Sequence, residues 1–478
     1  MDESEDTTER KLLDDRIRAA RDDLERRLVP EPPPFGAVRR QSQSSHRHLV
    51  LTVGAIAAVI AVVAGALVTR DPSKRSSTGA HPVKVRLIRS DKPRTRGDAA
   101  AIPAAVDADT AFAVDLYRQV ASREKNNFFL SPHSISMALS MTMAGANGKT
   151  LSQMEKVLHL EIPEPAFHDA INALDQALTA PRTATPEQKG ADPLKVMTAN
   201  SLWGQAGYPF RRQFLDRIAE SYAAGMNVVD FRRNAEESRS AINTWVRTRT
   251  DGKIAELIPA NVIDKLTRLV LVNAITFKAS WVKEFDPANP GPFTTADGRR
   301  VTAQMMSGGR ASSASGEGWI SVAVPYVGGA SLVVIMPDDL ARFEHTLTPE
   351  LFAAAPAGGG DAHVTLPKFS ITSKLDLVPA LKTLGMTDAF DQYNADLSRI
   401  KGTTCRTDPT CLYVTAVRHE ATIKVDERGT EAVAATAVII GDKSAPPTIV
   451  INKPFLFAIR DDATGAILFT GRVTNPAG

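Results

Sequence analysis

The sequence has few of the residues that build metal or redox centres. Only two of its 478 residues are cysteine, and its nine histidines are not spaced with them as in a structural zinc site. It has no dinucleotide-binding turn, phosphate-binding loop or metalloprotease helix motif, and no nucleophile elbow or triad signature. These absences argue against a zinc-binding module and against nucleotide-dependent or hydrolytic enzymes, and no cofactor is implied.

The sequence also lacks an excess of charge of one sign. The formal net charge is +3, with 23% charged and 43% hydrophobic residues, which is an ordinary globular composition. Nucleic acid is therefore not an expected partner. The length allows two or three domains, or one large domain with a tail.

The two cysteines lie close together in the segment CRTDPTC, at Cys405 and Cys411. In an oxidising compartment such a pair closes a small disulfide loop, whereas elsewhere it remains as two ordinary thiols. The sequence alone leaves both interpretations open.

One long apolar segment stands out, Leu49–Val68, which has no charged residue. Its length crosses the hydrocarbon core of a bilayer as a helix. It begins too late, behind a charged and proline-bearing region, for a cleaved signal peptide. A buried core helix is the alternative, but the uniform apolarity and basic flanks favour a transmembrane helix over 49–68.

The segments flanking this helix have different compositions. Within residues 1–48, Glu5–Leu28 carries apolar residues spaced three or four apart, which predicts an amphipathic helix. This helix either binds a partner helix or is a solvated juxtamembrane helix. Residues 69–108 are rich in basic residues, Ser, Pro and Ala, and this composition predicts a flexible linker.

The charge distribution and the domain size give opposite predictions for membrane orientation. The basic linker favours a cytoplasmic location for the C-terminal side. A large domain with a possible disulfide favours export. We predict that residues 1–48 are cytoplasmic and that the C-terminal domain is periplasmic or extracellular.

Residues 109–478 have the pattern of a single α+β domain. Helical segments such as DTAFAVDLYRQVA are followed by apolar strands such as ISVAVPY and ASLVVIMP. Several strands are apolar on both faces, which predicts a sheet that is covered on both sides.

The motifs of this domain, in their order along the chain, resemble those of the serpin family over nearly all of 109–478. They include NNFFLSPHSISMALSMTMAGANGKT, LVLVNAITFKASWVKEFD, LPKFSI and DERGTEAVAATAV, the last followed by INKPFLFAIRDDATGAILFTGRVTNP. The resemblance implies an α+β serpin fold: a large central mixed β-sheet, two smaller sheets, about nine helices and an exposed reactive loop.

The resemblance also implies a mechanism of inhibition and a partner, a serine protease. The protease attacks the reactive loop and forms an acyl-enzyme. The cut loop then inserts into the central sheet as a new strand, and the protease is deformed before it can deacylate. Such a protein is an inhibitor rather than an enzyme, and we expect it to be a monomer.

The segment before the reactive loop fits insertion as a strand. Alternate positions after Gly429, which supplies dihedral freedom, carry small side chains that would face the core: Thr430, Ala432, Ala434 and Thr436. No proline lies between Val425 and Ala445, so every backbone N–H can join a ladder. Taken alone, the stretch also fits a surface loop. Within the resemblance it favours an inhibitor over a substrate-type serpin that acts as a binding or signalling module.

By the length of the loop, the resemblance places the reactive bond at Lys443–Ser444. A lysine before the bond suits a trypsin-like protease, whose specificity pocket carries a buried carboxylate. The alternative is that Lys443 is a solvated loop residue and the bond lies one or two positions away. Asp442 precedes Lys443 and would deter many trypsin-like enzymes, so we expect an unusual target.

The resemblance assigns roles to two further groups of residues. A polar cluster lies where the strands must separate, with a mechanical rather than catalytic role for its histidine: Ser131, Ser134, Asn273 and His419. A second group lies where the loop first enters the sheet and includes an expected ion pair between Lys368 and Glu427: Trp281, Lys368 and Glu427.

Overall fold

A computed structural model of the protein describes residues 83–183, 191–354, 360–430 and 446–477. The predicted helix in Glu5–Leu28, the predicted transmembrane helix at 49–68 and the reactive bond at Lys443–Ser444 lie outside these residues. In the part of the chain that is described, no helix is both long and apolar enough to cross a membrane.

The described residues form ten α-helices and two β-sheets. The helices are α1 (Ile102–Arg123), α2 (Pro132–Met143), α3 (Gly148–Val157), α4 (Glu164–Thr179), α5 (Arg212–Tyr222), α6 (Ala235–Arg249), α7 (Leu340–Thr346), α8 (Pro349–Ala354), α9 (Val378–Leu384) and α10 (Ser398–Lys401). The strands are β1 (Arg86–Ile88), β2 (Phe128–Leu130), β3 (Lys195–Gln205), β4 (Met226–Val229), β5 (Leu269–Ser280), β6 (Asp286–Thr294), β7 (Arg300–Gly316), β8 (Trp319–Tyr326), β9 (Ala330–Pro337), β10 (Asp361–Pro367), β11 (Phe369–Asp376), β12 (Val414–Asp426), β13 (Gly429–Thr430), β14 (Thr448–Val450), β15 (Phe455–Asp461) and β16 (Ile467–Val473).

The central sheet has seven strands in the order β1-β4-β3-β5-β13-β12-β11. Its middle strands are apolar on both faces. Along β5, Leu271 belongs to the main core, which includes α2, while Val270 and Val272 belong to a second core under α6. The prediction of a sheet covered on both sides is therefore confirmed, and side chains must pack on each face.

The second sheet has nine strands, with the path β14-β10-β7-β8-β9-β15-β16-β2, and β6 pairs with β7. It corresponds to the two smaller sheets expected from the sequence, which here form one continuous sheet. The cause is the length of β7. Its residues 300–307 pair with β6, residues 305–312 with β10 and residues 312–316 with β8, so a single strand runs through both halves.

The domain begins before residue 109, and residues 83–108 are not the flexible linker that their composition predicts. Strand β1 pairs with β4 over Arg86–Ile88, and α1 starts at Ile102 with a proline in its first turn, where proline is well tolerated. Buried Ala105 and Ala108 give this helix a core-facing side. Alanine is compatible with both linkers and helices, and so the composition was ambiguous.

The two cysteines form a disulfide. Cys405 and Cys411 are bonded, with their Cα atoms 4.9 Å apart, and both are buried. The loop they close leads directly into β12 and is also held by Lys401, whose Nζ lies 2.7 Å from Asp408 Oδ2. Of the two interpretations that the sequence left open, the structure contains the disulfide loop.

Candidate functional site

The segment that leads to the reactive loop already lies inside the central sheet for two residues. Strands β5 and β12 are parallel neighbours as far as Ile275 and Ala421. Beyond that point β13 lies between them, and Thr430 pairs with Ala279 on one side and Val425 on the other. The gap between β5 and β12 is therefore open at one end and closed at the other.

Glycine is required at the first of these two positions. Gly429 has a φ of 153°, and a Cβ atom on it would lie 2.2 Å from the backbone oxygen of Ala279. Neither the dihedral angle nor the distance suits an L-residue with a side chain. The chain can thus turn from β12 into the gap only with Gly429 at this position.

The hydroxyl group of Thr430 forms a hydrogen bond to one of two stacked aromatic side chains. Thr430 is fully buried, and its Oγ1 lies 2.7 Å from the hydroxyl of Tyr326. The Tyr326 ring stacks on Trp281, with ring centres 4.2 Å apart. Burial raises the pKa of Tyr326 far above its ordinary value, so this hydroxyl stays protonated. Thr430 thus faces the core, as the alternation in the sequence predicts.

Trp281, predicted for this region, holds the turn between β12 and β13. Its indole Nε1 donates to the backbone oxygen of Asp426 at 2.9 Å, and its backbone N–H donates to the oxygen of Arg428 at 3.0 Å. Because the indole is 2% exposed, these bonds are shielded from water. They fix the turn against the end of β5.

The expected ion pair between Lys368 and Glu427 is present. Lys368 Nζ lies 2.8 Å from one carboxylate oxygen of Glu427 and 3.1 Å from the other, and the backbone N–H of Ala288 donates to the same carboxylate. Burial alone would raise the pKa of Glu427, but these hydrogen bonds outweigh it, and the pKa lies below its ordinary value. The pair is partly solvated, which limits its strength.

The predicted polar cluster forms beneath the closed part of the gap, where α2 begins. Ser131 is the N-cap of α2, and its Oγ accepts a hydrogen bond from the backbone N–H of Ser134, a role that serine fills well. The same Oγ donates to the backbone oxygen of Leu468 on β16, at 2.6 Å. The cluster is thereby attached to the second sheet.

A hydrogen bond between side chains crosses the two strands that must separate. His419 on β12 and Asn273 on β5 are cross-strand partners, and His419 Nδ1 lies 2.5 Å from Asn273 Oδ1. The other ring nitrogen of His419 accepts the backbone N–H of Ser131 at 3.2 Å. With an acceptor at Nδ1 and a donor at Nε2, the geometry fits the neutral ring that carries its proton on Nδ1.

Asn200 belongs to this cluster, although our sequence analysis did not assign it there. It lies on β3, directly across from Asn273, and its Oδ1 accepts from Asn273 Nδ2 at 2.7 Å and from Ser134 Oγ at 3.0 Å. A row of polar side chains therefore spans β3, β5 and β12. The register of β3 on β5, which shows this row, was not available from the sequence.

The described part of the chain brings all seven residues predicted for the polar cluster and the loop entrance to the gap between β5 and β12. It places Gly429 and Thr430 there as well. Three predicted hinge residues, Ala432, Ala434 and Thr436, lie outside the described residues, as does the reactive bond. Tyr326 was missed because it lies 104 residues from Thr430 in sequence and no motif marks it.

The chain is similar to known proteins over most of its length. The family model described as Serpin (serine protease inhibitor) matches residues 107–476. The chain is 35% identical to Serpin B6 of Pongo abelii over 77% of this chain and 99% of the relative. It is 35% identical to antithrombin-III of Homo sapiens over 77% of this chain and 81% of the relative. The crystal structure of Serpin48 from Tenebrio molitor aligns over 79% of this chain and 99% of its own, with a TM-score of 0.69 and 28% identity.

The burial of His419 predicts a loss of stability in acid. Burial lowers its pKa from 6.5 to about 3, so between these values the unfolded chain binds a proton that the folded chain does not. The free energy of unfolding should therefore fall as the pH drops below about 6.5, by up to roughly 1.4 kcal/mol per pH unit. We expect the urea midpoint to drop more between pH 7.5 and 5 in the wild type than in His419→Gln. Equal drops would contradict this assignment.

Replacing Tyr326 with phenylalanine should loosen β13. The Tyr326→Phe variant keeps the ring stacking but removes the hydrogen bond to Thr430, which should lower the stability of this segment by about 1 kcal/mol. Amide hydrogen exchange of Gly429 and Thr430 should become faster. Since Thr430→Val removes the same bond, the double variant should behave like either single variant. Unchanged exchange in Tyr326→Phe would show that the hydroxyl does not hold β13.

Proposed function

Since the chain belongs to the serpin family of serine protease inhibitors, a family of inhibitors and not of enzymes, we propose that it is an inhibitory member. It would trap a trypsin-like protease as a covalent acyl-enzyme after cleavage at Lys443–Ser444. One observation carries the proposal: Thr430 is held between β5 and β12, at the open end of the gap that the cut loop would fill.

The register of β13 supports insertion of the whole hinge. Strand β13 is antiparallel to both of its neighbours. If it continued beyond Thr430, each further residue would therefore pair with one residue earlier in β5, counted back from Ala279, and one residue earlier in β12, counted back from Val425. Six steps place Thr436 (430 + 6) between Asn273 (279 − 6) and His419 (425 − 6). Its hydroxyl would then replace the hydrogen bond between those two side chains that insertion breaks.

The same register would explain why the core-facing positions between Thr430 and Thr436 are alanine. Two and four steps place Ala432 and Ala434 across from Phe277 and Ile275 of β5. Both are large core residues, and only small side chains fit beside them in a close-packed interior. A strand of roughly ten residues would add on the order of ten backbone hydrogen bonds at about 1 kcal/mol each. That sum is comparable to the net stability of a domain, about 5–15 kcal/mol.

The membrane anchor and its orientation form a further part of the proposal. The uncharged segment Leu49–Val68 would anchor the protein, with residues 1–48 in the cytoplasm and the inhibitory domain periplasmic or extracellular. The disulfide between Cys405 and Cys411 supports an oxidising location for the domain. Labelling of an engineered cysteine on either side of the segment in intact cells would test the orientation.

Mixing the protein with trypsin at equal molarity tests the inhibitory function. We expect a covalent band at the summed mass on a denaturing gel, and a cut that N-terminal sequencing maps to Lys443–Ser444. Cleaved protein beside fully active trypsin, repeated across a panel of serine proteases, would instead indicate a substrate-type serpin.

Thr430→Arg should convert the inhibitor into a substrate. Because Thr430 already lies in the gap before cleavage, an unpaired charge at this position should displace β13 from the gap. Its return during insertion would cost several kcal/mol, which would slow insertion by more than about a hundredfold. The number of inhibitor molecules consumed per protease trapped should rise accordingly. Val433→Arg is the matched control, because by alternation its side chain would face outward. Equal trapping by Thr430→Arg and wild type would exclude insertion at this gap.

Thr436→Val should weaken trapping more mildly. The variant keeps the shape of the side chain but, in the cut form, leaves Asn273 and His419 without the bridging hydroxyl. The unpaired polar groups should lower the stability of the cut form by about 1–3 kcal/mol. We expect the melting temperature of the cut form to drop while that of the uncut form is unchanged. A drop of the same size in Thr436→Ser, which keeps the hydroxyl, would contradict this role of Thr436.

Lys443→Leu should change the protease that is trapped. Loss of the cation that meets the buried carboxylate of a trypsin-like pocket costs about 2–5 kcal/mol, so the rate of trapping trypsin should fall about thirtyfold or more. Trapping of a chymotrypsin-like protease should increase. If trypsin were trapped at the wild-type rate, the reactive bond would lie elsewhere in the loop.

A further inference from the structure

Residues 83–98, here called the strap, bind to the domain although they lie outside the family match at 107–476. Their first attachment is to the central sheet. Strand β1 runs antiparallel to β4, with Arg86 across from Val228 and Ile88 across from Met226. The strap therefore forms the outermost strand on the side of the sheet that also carries β3 and β5.

The second attachment of the strap is to helix α4. Arg94 Nε donates to Asn172 Oδ1 at 2.7 Å, and its guanidinium lies 2.6 Å from the Asp175 carboxylate. The Arg94 side chain is only 25% exposed and that of Asp175 11%, so this ion pair is partly desolvated. The backbone oxygen of Thr95 accepts hydrogen bonds from Asn172 at 3.1 Å and from Gln176 at 2.8 Å.

The third attachment is to helix α5. The hydroxyl of Ser90 donates to the carboxylate of Asp216, and the backbone N–H of Thr95 donates to the oxygen of Glu220 at 2.8 Å. Two residues after Thr95, Gly97 lies so close to α4 that a Cβ atom on it would lie 2.3 Å from Ala173 Cα. The strap is thus held along its length by three separate elements.

Two of these elements, β4 and α4, belong to parts of the domain that loop insertion would move relative to each other. A new strand needs about 4.8 Å of width between β5 and β12. Helix α2 lies under β3 and β5, and α4 packs on α1. If the half of the sheet with β4, β3 and β5 shifts over these helices, the attachment at β4 moves away from the attachment at α4. A strap that spans both resists this shift.

We propose that the face formed by β4, α4 and α5 is a docking site for the strap, whose Arg94 and Ser90 bind the carboxylates of Asp175 and Asp216. Its occupancy stabilises the form with an uninserted loop more than the loop-inserted form. The proposal rests on the insertion mechanism under Proposed function. It also makes the segment between the predicted anchor and the inhibitor part of the control of insertion.

Two glycines allow the docking to be blocked from opposite sides in the full-length protein. On the domain, a Cβ on Gly225 would lie 2.8 Å from the backbone oxygen of Ile88 and 2.9 Å from Arg89 Cβ, so Gly225→Ala should displace β1. On the strap, Gly97→Val should prevent the approach to Ala173. Arg94→Ala removes the ion pair without adding bulk. Arg96→Ala is the control, because this side chain in the same segment is exposed.

The readout is the melting temperature of each variant before and after the reactive loop is cut. We expect three variants to lower the melting temperature of the uncut form by about 2 °C or more: Gly225→Ala, Gly97→Val and Arg94→Ala. They should lower the melting temperature of the cut form by less than half as much. Uncut variants should also lose trapping activity faster on warm incubation. Arg96→Ala should match the wild type.

Two results would overturn the proposal. Equal losses in the cut and uncut forms would make the strap an ordinary part of the fold, and no loss in either form would show that it is not docked. A failure of the proposed function looks different: the wild type itself would gain no stability on cutting. If Gly225→Ala does not fold, the two strap variants still decide the question.

Discussion

The partial pairing between β5 and β12 is the constraint on which the rest of the structure depends. Two parallel strands in the middle of a sheet normally pair along their full length, because unpaired buried backbone groups are costly. Here they pair up to Ile275 and Ala421, and farther along Gly429 and Thr430 pair with both strands. The sheet thus holds the first two residues of a strand between β5 and β12, from which a longer strand can extend.

The side chains along this gap hold it closed, but their contacts also allow it to open. At the open end, the stacked rings of Trp281 and Tyr326 and the pair Lys368–Glu427 hold the turn that leads into β13. At the closed end, Asn200, Asn273 and His419 connect three strands through hydrogen bonds between side chains. Such bonds exchange partners without loss if an incoming hydroxyl replaces them, whereas interlocked apolar side chains would leave a cavity.

Much of the site was predictable because its residues lie in motifs that resemble those of a known family. The small residues after Gly429, the pair Lys368–Glu427 and the polar cluster were assigned in this way. Asn200 and Tyr326 were not, because their roles depend on strand register and on contacts between distant segments. The strap was missed because β1 has only three residues and its attachments come from α4 and α5, more than 70 residues away. Local composition carries no information about such partners.

The most direct test of this account compares thermal unfolding of the wild-type protein before and after a single cut in the reactive loop. If the gap between β5 and β12 accepts the cut loop, the cut protein gains a full strand of hydrogen bonds and its melting temperature should rise well above that of the uncut protein. A cut protein that melts at the same temperature as the uncut one, or below it, would contradict the account, because the sheet would then be closed to the loop.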